Sequence, residues 1–305
     1  VRSSTSLNMD FFPPAAFNDE VVVTTHVDGA VVVIKINRPD RMNTMNANVC
    51  RGVQCALEMC ASNPSVAVVV FTGAGERSFC AGGDLQGGGA SAGMRGEAVE
   101  GQPPPTVKGA IRTLRTTMSS AQLLRDSHFV SIAAVNGAAA GAGLSWACAC
   151  DLRICAENAK FRASFLSAGL SGDFGGSWLL PRIVGPAKAR ELYLFNNKLG
   201  AEEAVRIGLC SAALPLRGDA FLAAVVAQAS VLATAAPLAL KRIKANLNDA
   251  DRTTFPEHLD LEAERHVRCG YHPDAMEAGM AFMGKRRPEF TGIGDDRAPW
   301  EMSRL

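Results

Sequence analysis

Short β-branched runs alternate with helical patterns from Val21 onward. The stretch VVVTTHVDGAVVVIKINRP predicts a hairpin that turns at Asp28–Gly29, a dipeptide typical of two-residue hairpin turns. In MNANVCRGVQCALEMCASNP the apolar residues recur every three or four positions, which predicts a helix that stops at Pro64. The uninterrupted apolar run SVAVVVFTG is typical of a buried strand. This order predicts an α/β fold.

The same alternation continues further along the chain. FVSIAAVNG predicts a strand, AGLSWACACDL a short helix and DLRICAENAKFRAS two strands. GGSWLLPRIVGPAKARELYLF opens a helical region that continues to Leu305. Prolines mark its breaks, at positions 215, 237, 256, 273 and 288. We therefore expect repeated strand-strand-helix units followed by a helical tail.

Residues 85–127 interrupt this alternation. The stretch LQGGGASAGMRGEAVEGQPPPTV is rich in Gly and Pro, and loops of this length inside compact domains are usually functional or disordered. A helix is predicted to resume by Lys108 and to run to about Arg125. We expect three regions in all: a disordered leader (1–20), a core (21–200) and a helical C-terminal region (201–305).

Composition argues against several classes of protein. With 31 basic and 30 acidic residues there is no basic excess of the kind that marks nucleic-acid-binding proteins. The apolar runs are too short or too interrupted to form the helix of about 20 residues that spans a bilayer. The nine cysteines include no C-x-x-C pair and no neighbouring His pattern for zinc. We expect no metal site, and buried thiols in a reducing, cytoplasmic compartment.

The first 20 residues contain Arg2 and three serines, which are features of an organellar transit peptide. They also contain Pro13 and Pro14 and have no apolar helical face. A disordered leader is therefore the favoured interpretation, and a cleaved organellar leader is the alternative.

Two glycine-rich turns each follow a predicted strand. In CAGGDL, Gly82 and Gly83 have no Cβ, so the backbone can approach a ligand closely and present its N–H groups. In AVNGAAAGAGLSW the turn leads into a helix beginning near Ala142, whose N-terminus offers free N–H donors and a positive dipole end. If the two turns converge, they form an oxyanion hole with two backbone donors. Neither turn has the glycine order of a dinucleotide-binding motif.

Four motifs in one order carry a resemblance to a known family. INRPDRMNTMN, SFCAGGDL, AAVNGAAAGAG and GLSGDFGGSWLLPRIVG together resemble the enoyl-CoA hydratase/isomerase (crotonase) superfamily over roughly residues 21–295. The resemblance implies a spiral of repeated ββα units with a C-terminal helical region that forms trimers or dimers of trimers. It also implies an acyl-CoA thioester as substrate, with no permanently bound cofactor.

The resemblance also implies site residues. The two oxyanion-hole amides of the family correspond to Gly83 and Ala142. Asp84 matches an aspartate that follows the hole, for which we favour a role in ordering the turn.

Five further positions are expected to contact substrate. Phe282 and Lys285 match an F-x-x-K pattern that reaches the coenzyme A of a neighbouring subunit, although an ordinary amphipathic helix end explains them equally well. Arg41 is expected beside the coenzyme A nucleotide, and Ala81 beside the hole. Phe165 is either a core residue or a wall of the acyl pocket.

Two carboxylates that hydratases of this family carry are missing. The first expected glutamate position is Ser145, and the second is Phe165. A hydroxyl and a benzene ring cannot together activate water and protonate a carbon, which puts the usual hydration mechanism in doubt.

One carboxylate remains nearby, on Asp173. Its position resembles one that several enoyl-CoA isomerases of the superfamily use as acid/base. Flanking apolar residues such as Phe174 and Leu170 would desolvate it and raise its proton affinity. The simpler alternative is that Asp173 caps the helix that starts around Gly175–Gly176, because Asp is a favoured N-cap residue.

Three functions follow from these residues. The first is an enoyl-CoA isomerase that shifts a double bond, with Asp173 as the acid/base. The second is a hydratase in which Asp173 acts with a group from residues 85–127, such as Glu97 or Glu100. The third is a catalytically silent CoA-thioester binder or assembly subunit, suggested by the loss of both glutamates.

Overall fold

The computed structural model describes residues 19–84 and 106–292. Residues 1–18 of the predicted leader lie outside the described residues, as do Glu97 and Glu100. The helix predicted from Lys108 to about Arg125 lies within them and is present as two consecutive helices, Val107–Thr117 and Ser119–Asp126.

The strands form two sheets. Their bounds are β1 Val21–His26, β2 Val31–Ile36, β3 Val68–Gly73, β4 Ser78–Cys80, β5 Val130–Val135, β6 Ala138–Ala140, β7 Leu152–Ala156, β8 Lys160–Arg162, β9 Leu199–Gly200 and β10 Ala212–Leu214. The main sheet has the order β1-β2-β3-β5-β7-β10, and the second sheet has the order β4-β6-β8-β9. Pairing is antiparallel between β1 and β2 and between β8 and β9, and parallel elsewhere.

The helices follow the strands in the predicted order. Their bounds are α1 Ala47–Ser62, α2 Val107–Thr117, α3 Ser119–Asp126, α4 Ala142–Ala149, α5 Gly176–Val184, α6 Pro186–Leu194, α7 Ala201–Arg206, α8 Gly218–Leu232, α9 Pro237–Asp249, α10 Phe255–Tyr271 and α11 Pro273–Met283. The pairs β3-β4, β5-β6 and β7-β8 each place their first strand in the main sheet and their second strand in the other sheet, and a helix comes after each pair. This is the repeated ββα architecture expected from the sequence.

The predicted hairpin is confirmed, but its turn is longer than two residues. His26 pairs with Val31, so residues 27–30 separate the strands. Val27, Asp28 and Gly29 all have positive φ (52°, 53° and 89°), and the Ala30 N–H donates to the Val27 carbonyl at 3.0 Å. The chain therefore reverses through a full tight turn, which the Asp-Gly pair alone does not predict.

Apolar side chains cover both faces of the main sheet, because alternate residues of a strand point to opposite faces. Val32 and Ile34 belong to the core that also contains the buried face of α1. Val31 and Val33 belong to a second core, which α8 covers with Phe221 and its buried neighbours. Burial on both faces explains why these strands read as uninterrupted apolar runs.

The chain beyond residue 200 completes the main sheet before it becomes helical. β10 pairs in parallel with β7, with Ala212 opposite Ile154. Prolines 237, 256 and 273 lie in the first turns of α9, α10 and α11, positions where a missing N–H costs nothing. Among the described residues no helix alone has the length and apolar composition to cross a membrane; α8 and α9 meet that test only as a pair bent by 103°.

Candidate active site

The glycine corner at residues 82–83 follows β4 and is held from one side by Met45. The Met45 N–H donates to the Gly82 carbonyl at 2.8 Å, and the Asp84 N–H donates to the Met45 carbonyl at 2.9 Å. Successive N–H groups of an extended chain point to alternate sides, so the Gly83 N–H points away from Met45. No acceptor for it is found among the described residues.

The second turn brings the N-terminus of α4 to the same corner. A Cβ on Gly82 would lie 3.1 Å from the Ala140 carbonyl oxygen and 3.9 Å from the Ala142 nitrogen. A Cβ on Gly143 would overlap the carbonyl of Cys80, so α4 packs directly against the end of β4. The Ala142 N–H also has no acceptor within residues 19–84 and 106–292, as expected for the first turn of a helix. The two predicted donors therefore lie on neighbouring stretches of backbone.

An ion-pair network holds Asp84, the residue that follows the glycine corner. The Arg38 guanidinium pairs with Asp84 at 2.9 Å and with Glu20 at 2.9 Å, and it donates to the Thr44 carbonyl at 2.7 Å. Both Arg38 and Asp84 are largely buried, which strengthens a charge-assisted pair. The expectation that Asp84 orders the turn agrees with these contacts. Arg38 stands in the INRPD motif, but nothing local to it indicated a partner 46 residues away.

Asp173 is a buried carboxylate with little to stabilise its charge. Its side chain is 7% exposed, and its Oδ1 has no hydrogen-bond partner among the described residues. Burial raises its pKa from the ordinary value of 3.8 to about 7. A carboxyl group with such a pKa can exchange a proton in either direction near neutral pH.

The alternative in which Asp173 caps α5 is wrong. The N-cap of α5 is Gly175 in the left-handed conformation, and no side chain caps this helix. Only the main-chain carbonyl of Asp173 takes part, as it accepts from the Gly176 N–H at 3.1 Å. The side-chain oxygens make no hydrogen bond within the part of the chain that the structure describes, which leaves them available for another role.

Neighbouring groups place Asp173 close to the glycine corner. Burial raises the pKa of Cys80 to about 12, and the negative charge of Asp173 contributes further to the rise. Burial likewise raises the pKa of Cys50, on α1, to about 12, again with a contribution from Asp173. Cys80 stands two residues before Gly82, so the carboxylate lies within electrostatic range of the corner. Packing agrees with this placement, because Phe174, the next residue after Asp173, contacts Trp146 of α4.

Phe174 anchors the chain beside this carboxylate. Its backbone is left-handed (φ 46°), which is uncommon for a residue with a large side chain. Its ring is buried and packs edge-on against Trp146 with the centroids 5.2 Å apart. The Trp146 indole donates to the Ser120 hydroxyl at 2.9 Å, which fixes the aromatic pair in turn.

The two positions without glutamate are both buried. Ser145, on α4, is fully buried, and its Oγ lies 3.4 Å from the Gly141 carbonyl. Phe165 is buried as well and stacks on Tyr193 with the centroids 6.0 Å apart and the planes 7° apart. Sequence reasoning missed Tyr193, since a tyrosine in a helical run carries no signal of what it contacts.

The remaining candidates divide into two groups. The exposed Arg41 ends a short 3-10 turn next to Met42, whose carbonyl accepts from the Ala81 N–H at 3.2 Å. Arg41 and Ala81 thus lie beside the glycine corner. Phe282, 85% exposed, lies in the last turn of α11, and Lys285 follows just beyond the helix. Helix α11 packs on α10. Within one chain the described contacts do not bring these two residues to the other candidates.

The two-sheet ββα fold places two backbone N–H donors near a buried carboxylate. A site of this class is suited to hold an anionic oxygen while a proton moves. Comparison with known proteins identifies the family. Residues 26–293 match the model of the enoyl-CoA hydratase/isomerase family. The chain belongs to this family, and it is an enzyme of the crotonase superfamily.

Individual relatives carry both activities in their names. The chain is 35% identical over 271 residues to 1,2-epoxyphenylacetyl-CoA isomerase of Escherichia coli, covering 88% of this chain and 98% of the relative. It is 36% identical over 266 residues to a probable enoyl-CoA hydratase of Rhodobacter capsulatus, covering 87% and 96%. The crystal structure of an enoyl-CoA hydratase from Bacillus anthracis superposes with a TM-score of 0.78 at 28% identity, covering 90% and 99%.

Proposed function

We propose that this enzyme is an enoyl-CoA isomerase that shifts a double bond along the acyl chain of a coenzyme A thioester. The backbone amides of Gly83 and Ala142 bind the thioester oxygen, and Asp173 is the acid/base. The proposal depends on one observation, the buried carboxylate of Asp173, which has no hydrogen-bond partner among the described residues and whose pKa burial raises to about 7.

The reaction needs a single acid/base. Asp173 takes a proton from C2 of a 3-enoyl thioester, and the electrons delocalise onto the oxygen held by the two amides. The resulting dienolate takes the same proton from Asp173 at C4, which leaves the double bond between C2 and C3. No water is consumed, and the enzyme returns to its starting state.

The residues at positions 145 and 165 support isomerisation over hydration. Hydration needs a group that activates water in addition to one that protonates carbon. Ser145 and Phe165 offer no carboxylate. Asp173 is the acid/base that remains near the glycine corner among the described residues.

Hydration of a 2-enoyl-CoA is the second candidate. It is favoured by the 36% identity to a protein named a probable enoyl-CoA hydratase. In this alternative Asp173 acts with Glu97 or Glu100, which lie outside the described residues.

Substrate binding extends beyond the reacting atoms in this proposal. Arg41 contacts the nucleotide end of coenzyme A, and Ala81 and Phe165 contact the acyl end. Phe282 and Lys285 reach the coenzyme A of a neighbouring subunit in a trimer or dimer of trimers, where Lys285 neutralises a phosphate. In the same proposal residues 21–200 form the catalytic region and residues 201–305 the assembly region.

Incubation of the purified enzyme with a 3-enoyl-CoA and, separately, with a 2-enoyl-CoA tests the proposal. The 3-enoyl-CoA is expected to give the conjugated 2-enoyl isomer, and Asp173→Asn is expected to abolish this turnover. Water addition to the 2-enoyl-CoA without isomerisation would favour the hydratase. Tight binding of both compounds without any reaction would indicate a silent binder.

A further inference from the structure

Tyr193 bridges the two positions that lack a carboxylate. It lies on α6, and its ring stacks on Phe165 with the planes 7° apart. Its hydroxyl lies beside the Ser145 side chain, because a Cβ placed on Gly176 would meet both hydroxyls. One side chain thus spans from position 165 to position 145, although these two positions are 20 residues apart on different elements.

The space around the tyrosine is tightly filled. A Cβ on Gly176 would overlap the Ser145 hydroxyl and would lie 2.7 Å from the Tyr193 hydroxyl oxygen. A Cβ on Gly172 would lie 3.8 Å from the Tyr193 ring. Gly172 and Gly176 flank Asp173 in the chain, so the tyrosine packs against the segment that carries the proposed acid/base.

The tyrosine is not suited to be a base itself. Burial raises the pKa of its hydroxyl, and the negative charges of Cys148 and Asp173 raise it further, against a smaller opposing effect of the Ser145 hydroxyl. The hydroxyl therefore stays protonated in the range in which Asp173 titrates. It fills space beside Ser145, but it cannot act as a base that activates water.

We propose that Tyr193 determines the reaction outcome by excluding water from the dienolate and from Asp173, so that the proton moves from C2 to C4 without exchange. This inference rests on the proposed isomerase function. It assigns the choice between a double-bond shift and reaction with solvent to a residue that packs against the segment carrying Asp173. A closed site limits proton leakage from a reactive intermediate in general.

Turnover of a 3-enoyl-CoA in D₂O tests this directly, with the deuterium content at C4 of the product as the readout. The wild type is expected to transfer most of the proton internally. Tyr193→Ala removes the ring, so solvent exchanges with the Asp173 carboxyl group before reprotonation, and deuterium incorporation per turnover should rise about threefold or more. Tyr193→Phe keeps the ring and should stay near the wild-type value. Tyr271→Ala, at the half-exposed tyrosine of α10, is the control for loss of a distant ring.

Tyr193→Leu replaces the alanine variant in this test if that variant does not fold. A smaller rise in deuterium incorporation is expected, because leucine fills part of the space. A merely structural tyrosine would lower turnover without changing deuterium content per product molecule. Equal deuterium content in wild type and in an active Tyr193→Ala or Tyr193→Leu variant would overturn this inference and leave the isomerase intact. Failure of the proposed function would appear separately, as no conversion of the 3-enoyl-CoA by the wild type or as undiminished turnover in Asp173→Asn.

Discussion

At the scale of single residues, the unusual feature of the molecule is a buried carboxylate that has no ion-pair or hydrogen-bond partner among the described residues. Ionised carboxylates are normally buried only when they are paired or fully hydrogen-bonded. Asp173 shows neither arrangement in residues 19–84 and 106–292, and its charge contributes to the raised pKa of two buried thiols, Cys50 and Cys80. A group that lowers stability in this way persists where function requires it.

Burial of this carboxylate lowers the free energy of unfolding when the group ionises, so Asp173→Asn should gain stability in a pH-dependent way. Between pH 3.8 and about pH 7 the unfolded chain has released this proton while the folded chain retains it, so rising pH favours unfolding. The asparagine variant lacks this ionisation. Its free energy of unfolding should exceed that of the wild type by a margin that grows by on the order of 2–3 kcal/mol from pH 5 to pH 8.

Urea unfolding at the two pH values measures this margin. Asp260→Asn, at an exposed aspartate of α10, is the matched control. A margin for Asp173→Asn that does not change with pH would contradict the raised pKa of this group.

At the scale of elements, the site is made where the end of β4 meets the start of α4. The glycines at 82 and 143 permit this contact, and the Arg38–Asp84 pair holds the corner that results. The donors are backbone groups, so side-chain substitution affects them only through geometry.

Gly82→Ala tests the corner. Gly82 has a φ of 96°, and its Cβ would press on the Ala140 carbonyl, so the alanine should shift the Gly83 amide. Loss of one oxyanion-hole donor lowers turnover by about a hundredfold or more. The measurement is kcat with a 3-enoyl-CoA. Gly29→Ala, at a φ of 89° in the open hairpin turn, imposes a similar backbone strain and should leave kcat near the wild-type value. Equal kcat values for the two variants would count against the corner as the site of a donor.

The elements themselves were predictable because their signals are local. The apolar run of β3, the periodicity of α1 and the prolines of α9–α11 all act within a few residues of where they stand. The glycine turns and Asp173 were recognised from motifs. The contacts of Arg38 with Asp84 and of Tyr193 with Phe165 were not, because each joins distant segments through the tertiary fold. The length of the β1–β2 turn was missed because Val27 adopts a conformation that valine rarely does.

At the scale of the whole molecule, large apolar side chains are exposed on the C-terminal helices. They include Leu247, Phe255, Met276, Phe282 and Met283, each at least two-thirds exposed. Contiguous exposed apolar surface is typical of interaction sites. It agrees with the proposed self-association through this region.

Sedimentation of the purified protein should therefore give the mass of three or six chains. Met276→Glu, on α11, should shift the equilibrium toward smaller species, because it places a charge in the apolar contact. A monomeric mass for the wild type at micromolar concentration would contradict the proposed assembly.

The most direct test of the account is a crystal structure of the enzyme with a bound acyl-CoA thioester. The account predicts that the Gly83 and Ala142 nitrogens both lie about 2.7–3.1 Å from the thioester oxygen, with the Asp173 carboxylate between C2 and C4 of the acyl chain. Amides that point to different places, or a carboxylate turned away from both carbons, would contradict it.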